Sequence, residues 1–199
     1  MEDKKNAVFL KRFIAYLIDA FLISMVAGLL SFPFVDTSND EKLQKELTGL
    51  TEKAIQEEIS VQTYLTEFSS LYYNISRNQG VVVFISLFLE ILYFVVYPFY
   101  HDGQTLGKKV SKIKVVANDG ELTMNTLIAR SFLIDSILLH LISLIGITFL
   151  TIPMNFLYVV GTFELIQSVF LFITVIMVMY SKEKRGIHDY LTNTSVINC

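Results

Sequence analysis

Four carboxylates stand where a soluble protein would not put them. Asp19, Glu90, Asp135 and Glu164 each sit inside a long apolar stretch, and His140 adds a titratable ring five positions after Asp135. A charged carboxylate at the centre of a membrane helix costs about 2.5–3.5 kcal/mol on insertion scales, so four facing lipid would cost on the order of 10 kcal/mol. Such groups are expected to face a bundle interior, to be paired, or to be protonated. The chemistry open to them is proton exchange against a small cation along a polar path. The competing use is an ion-pair network that fixes helix packing. Arg12 lies seven residues before Asp19, on the same helix face two turns away, and is expected to pair with it. Arg130 lies five before Asp135, off its face, and is expected to reach a neighbouring helix or the headgroups. Glu90 and Glu164 have no obvious basic partner at their depth.

Other chemistry is poorly represented. There is no nucleotide-binding glycine loop, nucleophile elbow or HExxH motif. His101-Asp102 and His188-Asp189 are neighbours along the chain, which by itself makes neither a metal site nor a catalytic pair. Cys199 is the single cysteine, so no intrachain disulfide and no cysteine metal centre can form. Neither enzyme activity, nor a cofactor, a metal or a nucleic-acid partner is expected.

The elements that must position the acids are membrane helices. The chain is 53% hydrophobic with a mean hydropathy of +0.52, and its polar residues fall in blocks. Crossing the hydrocarbon takes about 20 mostly apolar residues. Four stretches qualify, at about 13–35, 81–100, 127–152 and 156–180. The first follows Lys4, Lys5, Lys11 and Arg12 but is too long for a signal-peptide core, and reads as a retained helix. Lysine and arginine crowd the segment before span one, residues 101–130 and the 181–199 tail, while the 36–79 loop has four of them against eight acids. Both termini are therefore expected in the cytoplasm.

The 36–79 loop is expected to hold two amphipathic helices on the outer face. Leu43, Leu47, Leu50 and Ala54 recur at helical spacing, and so do Tyr64, Leu65, Phe68, Leu71, Tyr72 and Ile75. On the cytoplasmic side, Lys112-Ile113-Lys114-Val115-Val116 alternates and then meets Asn118-Asp119-Gly120, which predicts a short β-hairpin within 104–122.

The chain also resembles itself. Residues 15–23 align with 131–139, superposing Asp19 on Asp135, and residues 104–116 align without gaps with 185–197. The predicted fold is an all-α membrane protein of four transmembrane helices in two tandem hairpin units, 1–126 and 127–199. Each unit crosses twice, so the repeat is parallel.

These residues together resemble the RDD family of bacterial membrane proteins, named for an arginine and two aspartates. Lys11-Arg12-Phe-Ile-Ala-Tyr-Leu-Ile-Asp19 matches the family's first helix, with its arginine at the start and an aspartate in the middle. Gly103-Gln104-Thr-Leu-Gly107-Lys108 looks like the turn after its second helix, and Arg185-Gly-Ile-His188-Asp189 like its closing motif. Asp189 is the candidate for the second aspartate, and Asp135 competes for that place. The resemblance covers nearly the whole chain except the 36–79 loop. It implies a multi-pass protein of a bacterial cytoplasmic membrane and, for some members, monovalent cation/proton antiport. Four spans are few for a transporter monomer, which points to a homodimer or larger assembly. The rival expectation is a non-transporting accessory or scaffold subunit of a membrane complex.

Overall fold

The computed structural model describes residues 6–199; Lys4 and Lys5, counted above toward orientation, lie outside the described residues. The first apolar stretch forms α1 (Phe9–Ser31), closed by a single 3-10 turn at Phe32–Phe34 that contains Pro33. The second forms α4 (Gly80–Glu90), a six-residue π-helical segment (Ile91–Val96) and α5 (Tyr97–Tyr100). The last forms α9 (Pro153–Tyr180), which opens on Pro153 because a first-turn N–H has no intrahelical partner to lose. These three are long and apolar enough to cross a membrane.

The third stretch departs from the expected continuous span. It breaks into α7 (Met124–Ile134) and α8 (Ile137–Phe149), bent by 72°; counted as one broken span, the pair brings the total to four. The break has a local cause. Asp135 adopts an extended backbone (φ −91°, ψ 169°) after its N–H closes the last turn on the Ser131 carbonyl. The Asp135 carbonyl, left without a helical partner, accepts the Gln167 side-chain N–H from α9 at 2.9 Å.

Both amphipathic patterns of the 36–79 loop are helices, α2 (Thr37–Ile55) and α3 (Val61–Asn78), capped by the side chains of Asp36 and Ser60. They pack on each other, burying Leu43 and Leu50, and α3 lies along α9 with Tyr73 edge-on to the buried ring of Phe156. This is the end of the bundle opposite the termini.

At the terminal end the expected local hairpin does not form. Strand β1 (Ile113–Ala117) instead pairs antiparallel with β2 (Thr194–Asn198) from the end of the chain, Val115 opposite Val196. Asn6 bridges to Ile197 on the far edge of β2. The Asn118-Asp119-Gly120 bend is present, with Gly120 at φ 70°. However, Thr123 caps α7 three residues later, accepting the Thr126 N–H at 3.2 Å, so no room remains for a return strand. Ala7, Ala15, Ile113, Val115 and Val196 form the small apolar core beneath this sheet.

One local pattern occurs twice. The five-residue helix α6 (Leu106–Val110), a left-handed residue at Lys112 (φ 53°) and β1 are matched by α10 (Ile187–Leu191), Asn193 (φ 48°) and β2. Each element of the first set falls 81 positions before its counterpart, as Leu106 to Ile187 and Ile113 to Thr194.

Candidate functional site

The helix α1 carries Arg12 and Asp19 on one face as expected, yet they do not pair. Asp19 is buried at 2% exposure and accepts three hydrogen bonds. Tyr93 Oη donates at 2.5 Å, Thr105 Oγ1 at 2.5 Å and the Gly107 backbone N–H at 2.7 Å. The carboxylate thus holds the start of α6 against α1. The contact is close enough to demand Gly107, because a Cβ there would come within 2.2 Å of the Ala15 carbonyl oxygen. With this many donors Asp19 has no need of the arginine, and Arg12 turns the other way.

Arg12 goes to Asp189. Its Nη1 donates to Asp189 Oδ2 at 2.6 Å, Nη2 to the Lys184 carbonyl at 2.5 Å and Nε to the Ala7 carbonyl at 3.2 Å. Arg130 Nη1, from α7, donates to Asp189 Oδ1 and to Thr194 Oγ1 at 2.7 Å. One carboxylate from α10 therefore receives two arginines from two membrane-type helices. The Gly186 N–H adds a third donor at 3.0 Å. Burial alone would raise the Asp189 pKa, but Arg130, His188 and Arg12 outweigh it and hold the group well below the usual carboxylate range. Arg185 braces the same turn, donating Nη2 to the Asp189 carbonyl at 3.0 Å and Nε to the Thr194 carbonyl at 3.1 Å. Of Asp189 and Asp135, the two candidates for the family's second aspartate, it is Asp189 that meets Arg12.

His188 stands beside this cluster with Nε2 3.2 Å from Asp189 Oδ1. Burial, then the positive charges of Arg130 and Arg12, push its pKa down to about 4, so at neutral pH the ring is uncharged. A proton on Nε2 facing Asp189 leaves Nδ1 as an acceptor, and Nδ1 is buried without a partner.

Gly103 and Gln104 fix the base of α6. Gly103 takes φ 74° with its Cβ direction blocked by the Val115 carbonyl at 2.2 Å, and Gln104 Nε2 donates to the Ile113 carbonyl at 2.9 Å. Lys108 is half-buried, and its ammonium makes no hydrogen bond or ion pair among the described residues. Burial and Arg130 lower its pKa, while Asp135, Asp19 and Asp189 oppose them.

A cavity of about 260 Å³ links these parts. Asp19, Asp135, Lys108, Arg130, Thr174 and His188 all line it, together with apolar side chains of α1 and α9. Asp135 stands at the break between α7 and α8 and makes no ion pair among the described residues. Asp19 and Asp135 thus reach one space; three donors hold Asp19, whereas Asp135 has the Ser131 hydroxyl beside it and no ion pair among the described residues.

The other intramembrane acids separate. Glu90, at the junction of α4 and the π-helical segment, pairs with His140 Nδ1 at 2.8 Å, a partner that chain spacing did not suggest because fifty positions separate them. Glu164 does not face the interior. It is exposed on α9, with Tyr72 of α3 donating to it at 2.8 Å. Burial and then Glu164 raise the Tyr72 pKa, so the phenol remains the donor.

A model of the RDD family matches residues 6–193, and the chain belongs to that family. No curated protein and no solved structure matches it.

Proposed function

We propose, with membership of the RDD family as the premise, that this chain exchanges protons for small monovalent cations across a bacterial cytoplasmic membrane, with Asp135 as the exchanging carboxylate. The observation that carries this reading is a cavity reaching a carboxylate with no ion pair among the described residues, at a 72° break in a membrane-type helix. Non-helical backbone at membrane depth is tolerated only where it is buried in protein or lines a wet cavity. Broken helices of this kind are where transporters bind ions. Beyond the break, the Glu90–His140 pair continues the set of titratable groups. Asp19, saturated with donors, serves the packing of α6 instead.

The distribution of lysine and arginine supports both termini being cytoplasmic. The recurrence of α6–β1 as α10–β2 supports two tandem units, their helical parts having diverged at the α7–α8 break. Proteoliposomes holding a pH-sensitive dye test the transport reading. An imposed sodium or potassium gradient should drive counter-movement of protons, and Asp135→Asn should abolish it while the protein still melts cooperatively. Wild-type vesicles in which no cation gradient moves protons would end this reading.

The rival is a non-transporting subunit of a larger complex. What favours it is α9, whose 28 residues bury only Phe156, Val160, Thr174 and Val178, leaving Glu164 on the open face. A homodimer through that face reconciles the two readings. Chemical cross-linking in native membranes distinguishes self-association from a foreign partner.

A further inference from the structure

The cavity has more to offer than a cation needs. Phe13 of α1 and Val175 of α9, both on helices long and apolar enough to cross a membrane, line it and are 44% and 38% exposed, and we take the gap between them as its mouth. An occupant can therefore enter sideways from the bilayer, with its apolar part against these walls. Its polar lining holds two buried atoms without hydrogen-bond partners and two charged groups without ion pairs among the described residues. Thr174 Oγ1 and His188 Nδ1 are buried without partners, in residues 4% and 2% exposed. The Lys108 ammonium and the Asp135 carboxylate make no ion pair among the described residues. Asp135 supports the charge of Lys108 across the cavity without touching it. At 260 Å³ the space far exceeds the on the order of 10–15 Å³ that a single water needs.

The geometry points to a lateral binding site for a zwitterionic phospholipid with a primary ammonium, its phosphate at Lys108 and its ammonium at Asp135. Buried polar groups without partners are costly unless satisfied, and this headgroup satisfies them in kind. Lys108 supplies donors to a phosphate. Asp135 and the lone pair of His188 Nδ1 accept N–H groups, and Thr174 can do either. A quaternary ammonium has no N–H to give, and a purely anionic head leaves Asp135 facing like charge. The charged groups lining the site are Arg12, Asp19, Lys108, Arg130 and Asp135, of which Arg12 and Arg130 are already engaged by Asp189. The inference does not depend on transport; in a chain that moves cations, the lipid would compete with them for Asp135.

The chain contains no tryptophan, so one placed at the mouth reports alone. Val175→Trp is reconstituted with brominated phosphatidylethanolamine, phosphatidylcholine or phosphatidylglycerol in competition with unbrominated lipid, and fluorescence quenching gives relative association constants. Phe172→Trp, on the exposed face outside the cavity, is the annular control. The expected result is a severalfold preference for the ethanolamine head at position 175 and none at position 172. Adding Lys108→Gln or Asp135→Asn to Val175→Trp should return the ratio to about one. Equal quenching by all heads at 175 overturns the proposal, as does a preference that survives both substitutions. So does a preference for the anionic lipid, which would mark a basic surface instead. If a double variant fails to assemble, the headgroup ranking of Val175→Trp alone decides.

Discussion

Arg12 Nη1 lies 2.6 Å from Asp189 Oδ2 although 177 positions separate the residues, so the first helix is fastened to the last one. Arg130 reaches the other oxygen of the same carboxylate. The result is a buried Arg–Asp–Arg cluster that joins α1, α7 and α10 beneath the β1–β2 sheet.

Removing the central charge should be worse than weakening one arm. Asp189→Asn leaves two guanidinium groups buried without a counter-charge, and breaking a buried pair this way costs about 3–5 kcal/mol. Arg12→Lys keeps the charge but loses the forked contacts to Asp189, Lys184 and Ala7, and should cost less. Thermal melting in detergent should rank wild type above Arg12→Lys, and Arg12→Lys above Asp189→Asn. Equal melting of wild type and Asp189→Asn would remove the cluster from the stability argument.

Gly107 and Gly49 make a matched pair. Gly107→Ala puts a methyl group 2.2 Å from the Ala15 carbonyl oxygen and 2.7 Å from Asp19 Oδ1, so α6 must leave α1. Gly49→Ala meets nothing within 4 Å in the middle of α2 and should stabilise by about 0.5–1 kcal/mol. Opposite shifts in melting temperature are expected.

Acid should weaken the fold before any carboxylate of the cluster titrates. The pKa of His188 is about 4 folded and near 6.5 unfolded. Between those values the unfolded chain binds the proton and the native chain does not, so stability falls as pH drops through that window. Its full extent is on the order of 3 kcal/mol at 1.36 kcal/mol per pKa unit. The Asp189 contribution is lost only below the ordinary carboxylate range. His188→Gln should flatten the melting-temperature profile between pH 6.5 and 4. An unchanged slope would mean that other groups carry it.

The strand pairing is open to direct chemistry. With Cys199 replaced by serine, cysteines at Val116 and Ser195 face each other across the β1–β2 ladder and should oxidise to a disulfide. A cysteine at Val116 paired instead with one at Leu122, the partner a local hairpin would need, should stay reduced.

Much of the scaffold was legible because its signals are local. Apolar runs of about 20 residues mark helices whatever surrounds them, the 3.6-residue pattern marks α2 and α3, and the RDD motifs place the arginine and the aspartates. The break at Asp135 was not legible. The apolar run continues through it, and only a cap from Gln167, 32 positions away, makes an open backbone there tolerable. The hairpin failed for a related reason, since the bend was read correctly but the partner of β1 lies at the far end of the chain.

The sequence alone determined that acids would stand among membrane helices, since composition and spacing are properties of the chain. Only the tertiary structure decided what each acid does. Seven positions along a helix put Arg12 near Asp19, yet electrostatic and hydrogen-bonding energy depends on distance in space and on competing donors. Tyr93, Thr105 and Gly107 claimed Asp19, His140 claimed Glu90, and two arginines claimed Asp189. Asp135, beside the Ser131 hydroxyl, was left lining the cavity at the break with no ion pair among the described residues.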